Sequence, residues 1–151
     1  MLIKTHIAAS VFVALLLWES ITGKIAFTIL LLFSTLLPDI DSSASYISRK
    51  IKPLNKIFNF LTKHRGILHS MTFCLILTVI LASFNQKLAL PFFLGYSLHL
   101  AADSFTIAGI KPFWPSTKFI KGFIRTGGLT ERILLCSLIT ADVILFITLI
   151  R

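Results

Sequence analysis

Charge is what this sequence has least of. Charged residues make up 14% of the chain, and only 6 residues are acidic. A soluble globular domain carries about a quarter charged residues, so that class is excluded. Cysteine is nearly absent, and the two present, Cys74 and Cys136, lie inside apolar segments. They read as reduced, buried thiols behaving as small hydrophobes, and a disulfide framework is excluded. The N-terminal stretch MLIKTHIAASVFVALLLWES has the Lys and apolar run of a secretory signal. It lacks a small-x-small cleavage site before a polar region, so an uncleaved membrane helix is expected. No internal repeat and no low-complexity tract appears.

What is present is apolar. Hydrophobic residues make up 56% of the 151, with a mean hydropathy of +0.89. Segments approaching the ~17–25 residues of a membrane span recur along the chain. The pattern predicts an all-α, polytopic membrane protein: one integral domain over residues 1–151 with about five transmembrane helices. These are expected at about 5–20, 25–38, 66–84, 88–106 and 131–150. The first two are short for a span, so tilt or bilayer thinning must make up the difference. Between the second and third, LNKIFNFL (54–61) spaces its apolar residues by three and four, as an interfacial amphipathic helix does. Residues 106–132, with Pro112, Pro115 and a Gly-Gly pair, read as an irregular loop.

The basic residues then orient the drawing. With the N-terminus in the cytoplasm, Lys4 falls inside, as do Arg49, Lys50, Lys52, Lys56, Lys63 and Arg65 of one loop. Lys111, Lys118, Lys121, Arg125 and Arg132 of the other loop join them, leaving only Lys24, Lys87 and Arg151 outside. Twelve against three follows the positive-inside rule. It also accounts for a net charge of +9 without nucleic acid, so direct DNA binding is not expected.

On this drawing the polar residues converge. His6 opens the first helix. Asp39 and Asp41 close the second. His64 and His69 open the third, and His99 and Asp103 end the fourth. All four histidines and three of the four aspartates therefore reach one face at one depth. Ionisable groups at membrane depth are costly and mark functional sites. His99 and Asp103, four apart, share a helical face. Taken singly, each has a plainer role as a packed histidine, a helix cap or a solvated loop residue. The convergence favours a metal site made of His6, Asp39, His64, His69, His99 and Asp103, with Asp41 as a seventh candidate. Imidazole with carboxylate suits Zn²⁺ first, then Mn²⁺ or Fe²⁺, and one or two ions would use this many donors.

The segments LLPDID, HRGILHS and GYSLHLAADSFTIAGIKPFWP closely resemble the membrane-bound, metal-dependent hydrolases known as YdjM-like proteins. The matching residues are His6, Pro38-Asp39-Ile40-Asp41, His64-Arg65-Gly66 with His69-Ser70, and Gly95-Tyr96 with His99 and Asp103. Thr106, Gly109, Trp114, Pro115 and Glu131-Arg132 complete them, and Leu68 departs from the Thr common at its position. The resemblance implies a metal-dependent hydrolase.

A metal held by these side chains would polarise a carbonyl or phosphoryl oxygen and lower a bound water's pKa to roughly 7. Asp41 or Glu131 is the candidate general base, and Arg65 the candidate fork for an anionic substrate oxygen. Ser70 is expected to contact the helix start rather than act as a nucleophile. The partners expected are membrane lipids, with a lipid or lipid-linked phosphate or ester as substrate and a membrane-associated peptide as the lesser choice. The rival reading is a metal-binding membrane protein or a metal or proton transporter. A transporter's conduction path would require polar residues through the whole bilayer, and the outer halves carry only Glu19 and Asp142.

Overall fold

The computed structural model describes residues 1–39 and 65–151, without the side chains of residues 65 and 66. The 54–61 amphipathic segment, Asp41 and His64 lie outside the described residues. So does the side chain expected to bind an anion at position 65.

Five long helices form among the described residues: α1 (Ile3–Leu16), α2 (Lys24–Leu36), α3 (Met71–Phe84), α4 (Gln86–Ser104) and α5 (Leu129–Ile150). Short 3-10 turns follow α1 and α2 at Trp18–Ser20 and Leu37–Asp39. A single α-turn, Arg65–Leu68, precedes α3. The described residues contain isolated β-bridges but no strand. All-helical architecture is thus found. One described helix, α5, is long and apolar enough to cross a membrane, while α1 and α3 are apolar but shorter.

The boundaries have local causes. Gly23 takes a left-handed backbone (φ 72°), which a side chain would resist, and sets the start of α2. Ser70 begins α3 by accepting a hydrogen bond from Phe73 N at 3.2 Å, the capping role expected for its hydroxyl. His69 therefore falls in the break before α3 and not within the helix itself. Asn85 ends α3 and caps α4, its Oδ1 accepting from Lys87 N at 3.0 Å. This junction explains why the polar break NQK is so brief.

Among the described helices α4 is the central one, packing on α1, α2 and α3, whereas the extensive contacts of α5 are with α1. Small and hydroxylated residues let the backbones approach. A Cβ on Gly95 would lie 2.2 Å from Leu31 O and 2.2 Å from Ser34 Oγ, so α4 seats directly on α2. Ser10 of α1 and Thr35 of α2 share a buried hydrogen bond of 2.7 Å. Such contacts bring helices together where lipid removes the hydrophobic drive between them. Beside them Cys74, Phe92, Tyr96, Leu100 and Ile110 form a buried apolar cluster. Cys74 is buried as expected. Cys136 is exposed, contrary to expectation, because its face of α5 has no described helix against it.

Candidate metal site

Four donors assemble where helix ends meet. Asp39 is delivered by the 3-10 turn after α2, His69 by the break before α3, and His99 and Asp103 by one face of α4. One ligand atom from each lies within 4.8 Å of every other. His99 Nε2 stands 3.5 Å from Asp103 Oδ2 and 3.8 Å from Asp39 Oδ1. His69 Nε2 stands 3.6 Å from Asp39 Oδ1 and 4.0 Å from Asp103 Oδ2. These separations are too long for good hydrogen bonds but short enough to share an ion at about 2 Å from each donor.

His6, from α1, is a neighbour of this group. Its ring stacks on that of His99 with centroids 4.0 Å apart, and its Nε2 approaches Asp103 Oδ1 at 3.3 Å. The α-ammonium of Met1 also pairs with Asp103 Oδ1. Both histidines are buried, and neither ring nitrogen of either has a hydrogen-bond partner among the described residues. Two buried imidazoles without partners are expensive, at about 1–3 kcal/mol for each unsatisfied group. A cation shared with two carboxylates would satisfy His99, and the donor set fits one. Burial pushes the Asp39 carboxyl up. Pairing with His69 and the charge of His99 outweigh that and hold its pKa below the ordinary value. Asp39 is thus an anion, the form a ligand needs.

Local sequence explains how the site is held. Tyr96 OH donates to Leu68 O, fixing the turn before His69 against α4. Thr106 Oγ1 donates to Asp103 O at 2.7 Å and accepts from Gly109 N at 3.2 Å, closing the turn that ends α4. Gly109 has φ 61°, and a Cβ there would sit 2.4 Å from Ile120 O. Those contacts account for Gly-Tyr, Thr and Gly at their places in the GYSLHLAADSFTIAG segment.

Glu131 lies outside the four-donor group. It is buried, with Oε1 accepting from Leu2 N (2.6 Å) and Thr5 Oγ1 (3.0 Å), and Oε2 from Gly127 N (2.6 Å). The carboxylate clasps the starts of α1 and α5 to the loop between α4 and α5.

The four-donor group opens into a cleft of about 880 Å³ lined by Asp39, His69 and Asp103. Lys4 and Lys111, two of the twelve basic residues that orient the chain, also line it. Their spacing was the available signal: Lys4 stands two residues before His6, and Lys111 two after Gly109.

Residues 1–150 match the family described as YdjM inner membrane protein. The uncharacterized protein YvsG of Bacillus subtilis (strain 168) is 32% identical over 111 residues, covering 71% of this chain and 69% of that protein. The inner membrane protein YdjM of Escherichia coli (strain K12) is 33% identical over 94 residues, 56% of this chain and 46% of its own length. The Shigella flexneri protein of that name matches to the same extent. The chain thus aligns with about half the length of these two relatives. No solved structure matches it.

Proposed function

The chain belongs to the YdjM inner membrane protein family, and from that premise we propose that it is a multi-pass, metal-dependent hydrolase. In this reading five spans cross the membrane with the N-terminus in the cytoplasm, and the site works at the cytoplasmic face on a lipid or lipid-linked phosphate or ester. The family's inner-membrane description supports a membrane location. The twelve-to-three distribution of Lys and Arg supports the orientation.

One observation carries the reading: Asp39, His69, His99 and Asp103 converge within 4.8 Å beside an open cleft. A structural ion would be served equally well by a closed pocket, whereas a hydrolytic one needs an open side. Asp39, His69, His99 and Asp103 would hold the ion, Zn²⁺ first by donor chemistry and Mn²⁺ or Fe²⁺ next. Bound there, the ion supplies Lewis acidity toward a phosphoryl or carbonyl oxygen. His6, stacked on His99, would fix that ring and stands ready as a further ligand. Asp41 would take the proton from the attacking water, and Arg65 would steady an anionic oxygen, with His64 beside it as a further donor. Glu131, with both oxygens occupied by donors, serves the scaffold in this scheme.

The deciding experiment measures metal content and hydrolysis on one preparation, with a panel of phospholipids, polyprenyl phosphates and neutral esters. Stoichiometric metal with turnover is expected. Asp41→Asn should keep the metal and lower turnover by roughly 10²–10⁴-fold, the usual worth of a general base. Metal without turnover on any member of the panel would make the protein a metal-binding membrane protein instead.

A further inference from the structure

The cleft over the donor group has walls of a definite chemistry. Its ionised groups outside the histidine are two carboxylates, Asp39 and Asp103, and three ammonium groups, those of Lys4 and Lys111 and the α-ammonium of Met1 paired with Asp103. The cleft is therefore about +1 without an ion, and a divalent ion in the donor group raises it to about +3, which a neutral ester would not offset. A phosphate monoester would offset most of it, since its second pKa near ~6 makes it close to a dianion at neutral pH.

The two lysines are also uncommitted. Both are exposed, and neither forms an ion pair among the described residues, although carboxylates lie in the same cleft. They come from different elements: Lys4 from the first turn of α1, Lys111 from the loop after α4. A group held between them would meet the donor group from two sides. Topology alone would explain two cytoplasmic lysines, but does not require that both line the cleft that leads to the metal ligands.

Large apolar side chains share the same walls. Leu2, Ile3 and Phe119 line the cleft while remaining 40%, 53% and 50% exposed. Cationic and apolar surface side by side, at a membrane interface, is the surface of an amphiphile's binding site.

We propose that this cleft binds the phosphate end of a lipid phosphate monoester, with Lys4 and Lys111 holding the phosphate and Leu2, Ile3 and Phe119 lying against the first carbons of its chain. The inference rests on the reading of the donor group as a metal site, and it selects phosphate over neutral ester within that reading. Lys4 and Lys111 are then specificity residues that choose the substrate by charge.

The test is equilibrium binding to the full chain in a neutral detergent, loaded with Zn²⁺, using three probes. These are a short-chain phosphatidic acid, the diacylglycerol of the same chains, and inorganic phosphate. Phosphatidic acid should bind at least about tenfold more tightly than either of the others, since each lacks one half of the recognised pattern. Lys4→Gln and Lys111→Gln should each lower phosphatidic acid affinity by about tenfold, the scale of a charge-assisted contact. Neither should alter diacylglycerol binding, and Lys→Arg at either position should retain most of the affinity. Equal binding of phosphatidic acid and diacylglycerol would overturn the proposal, as would a Lys4→Gln/Lys111→Gln double variant with undiminished affinity. Inorganic phosphate binding as tightly as phosphatidic acid would overturn the lipid half. Metal content is read on every sample: a chain that takes no ion sinks the hydrolase reading, whereas one that takes it and ignores the phosphate sinks only this inference.

Discussion

Helices α4 and α5 divide the labour of this molecule in opposite ways. Helix α5 passes every compositional test for a membrane span, yet its surface is mostly exposed and it leans chiefly on α1. Helix α4 carries His99 and Asp103, contains Pro91, and does not pass that test, yet it touches three other helices and contains the fully buried Tyr96. Apolarity reports contact with lipid, and polarity inside a bundle reports work. A helix that faces protein on most sides can carry Ser, Tyr, His and Asp because they are turned away from lipid there. The helix that looks least like a span is therefore the one around which the site is built.

The sharpest way to break that contrast is to wedge α4 away from α2. Gly95→Val would put its Cβ 2.2 Å from Leu31 O, a backbone atom that has nowhere to go. The variant should lose about 3 kcal/mol or more of stability and yield little folded protein. Size-exclusion profile and thermal unfolding in detergent are the readouts, and a wild-type transition would mean that α4 and α2 are not this close.

Next in size is the removal of donors from α4. His99→Ala and Asp103→Ala should insert and fold, because α4 keeps its packing on α2 and α3 without them. Both should lose the stoichiometric ion, measured by elemental analysis of the purified protein. Full metal content in either folded variant would remove the site.

Much of this arrangement was legible in the sequence, and the reasons differ by residue. His99 and Asp103 were found together because helical periodicity fixes four-residue neighbours. Asp39 and His69 were placed with them by counting helices, since helix ends on one face must meet. Ser70 was read as a hydroxyl contact near a helix start, and it is the cap itself because α3 begins at Met71 rather than at 66. What stayed hidden depends on geometry across the chain. Glu131 was read as a candidate base, but its carboxylate meets Leu2, Thr5 and Gly127, and no local pattern announces bonds spanning 126 and 129 positions. Lys4 was hidden differently. The positive-inside rule already explained it, and a sufficient explanation concealed its place in the cleft wall.

The clasp at Glu131 sharpens the comparison from the α5 side, because it is the polar tie by which α5 joins the site's end of the molecule. Glu131→Gln keeps the size and one acceptor oxygen, but places an NH₂ against a backbone N–H. The expected cost is about 1–3 kcal/mol, the penalty for an unmet buried donor. The thermal midpoint should fall while metal content stays at the wild-type level. Loss of metal at an unchanged midpoint would transfer Glu131 from the scaffold to the site.

The smallest effect is expected on the outer face of α5. Ile147 is 49% exposed and Phe146 is 56% exposed, with no described helix against them. If that face meets lipid, truncating either side chain exchanges contact with acyl chains for contact with fewer of them. Lipid tails are as apolar as the side chains they replace, so little free energy is at stake. Ile147→Ala should therefore shift stability by no more than about 0.5 kcal/mol, the range of ordinary surface substitutions. Metal content and binding in the cleft should be unchanged. The measurement is unfolding of Ile147→Ala beside Leu100→Ala, a fully buried α4 residue whose truncation should cost about 2–5 kcal/mol. Equal losses at the two positions would mean that α5 packs as deeply as α4, against a partner outside this chain or a second copy of it, and the division of labour between the two helices would fall.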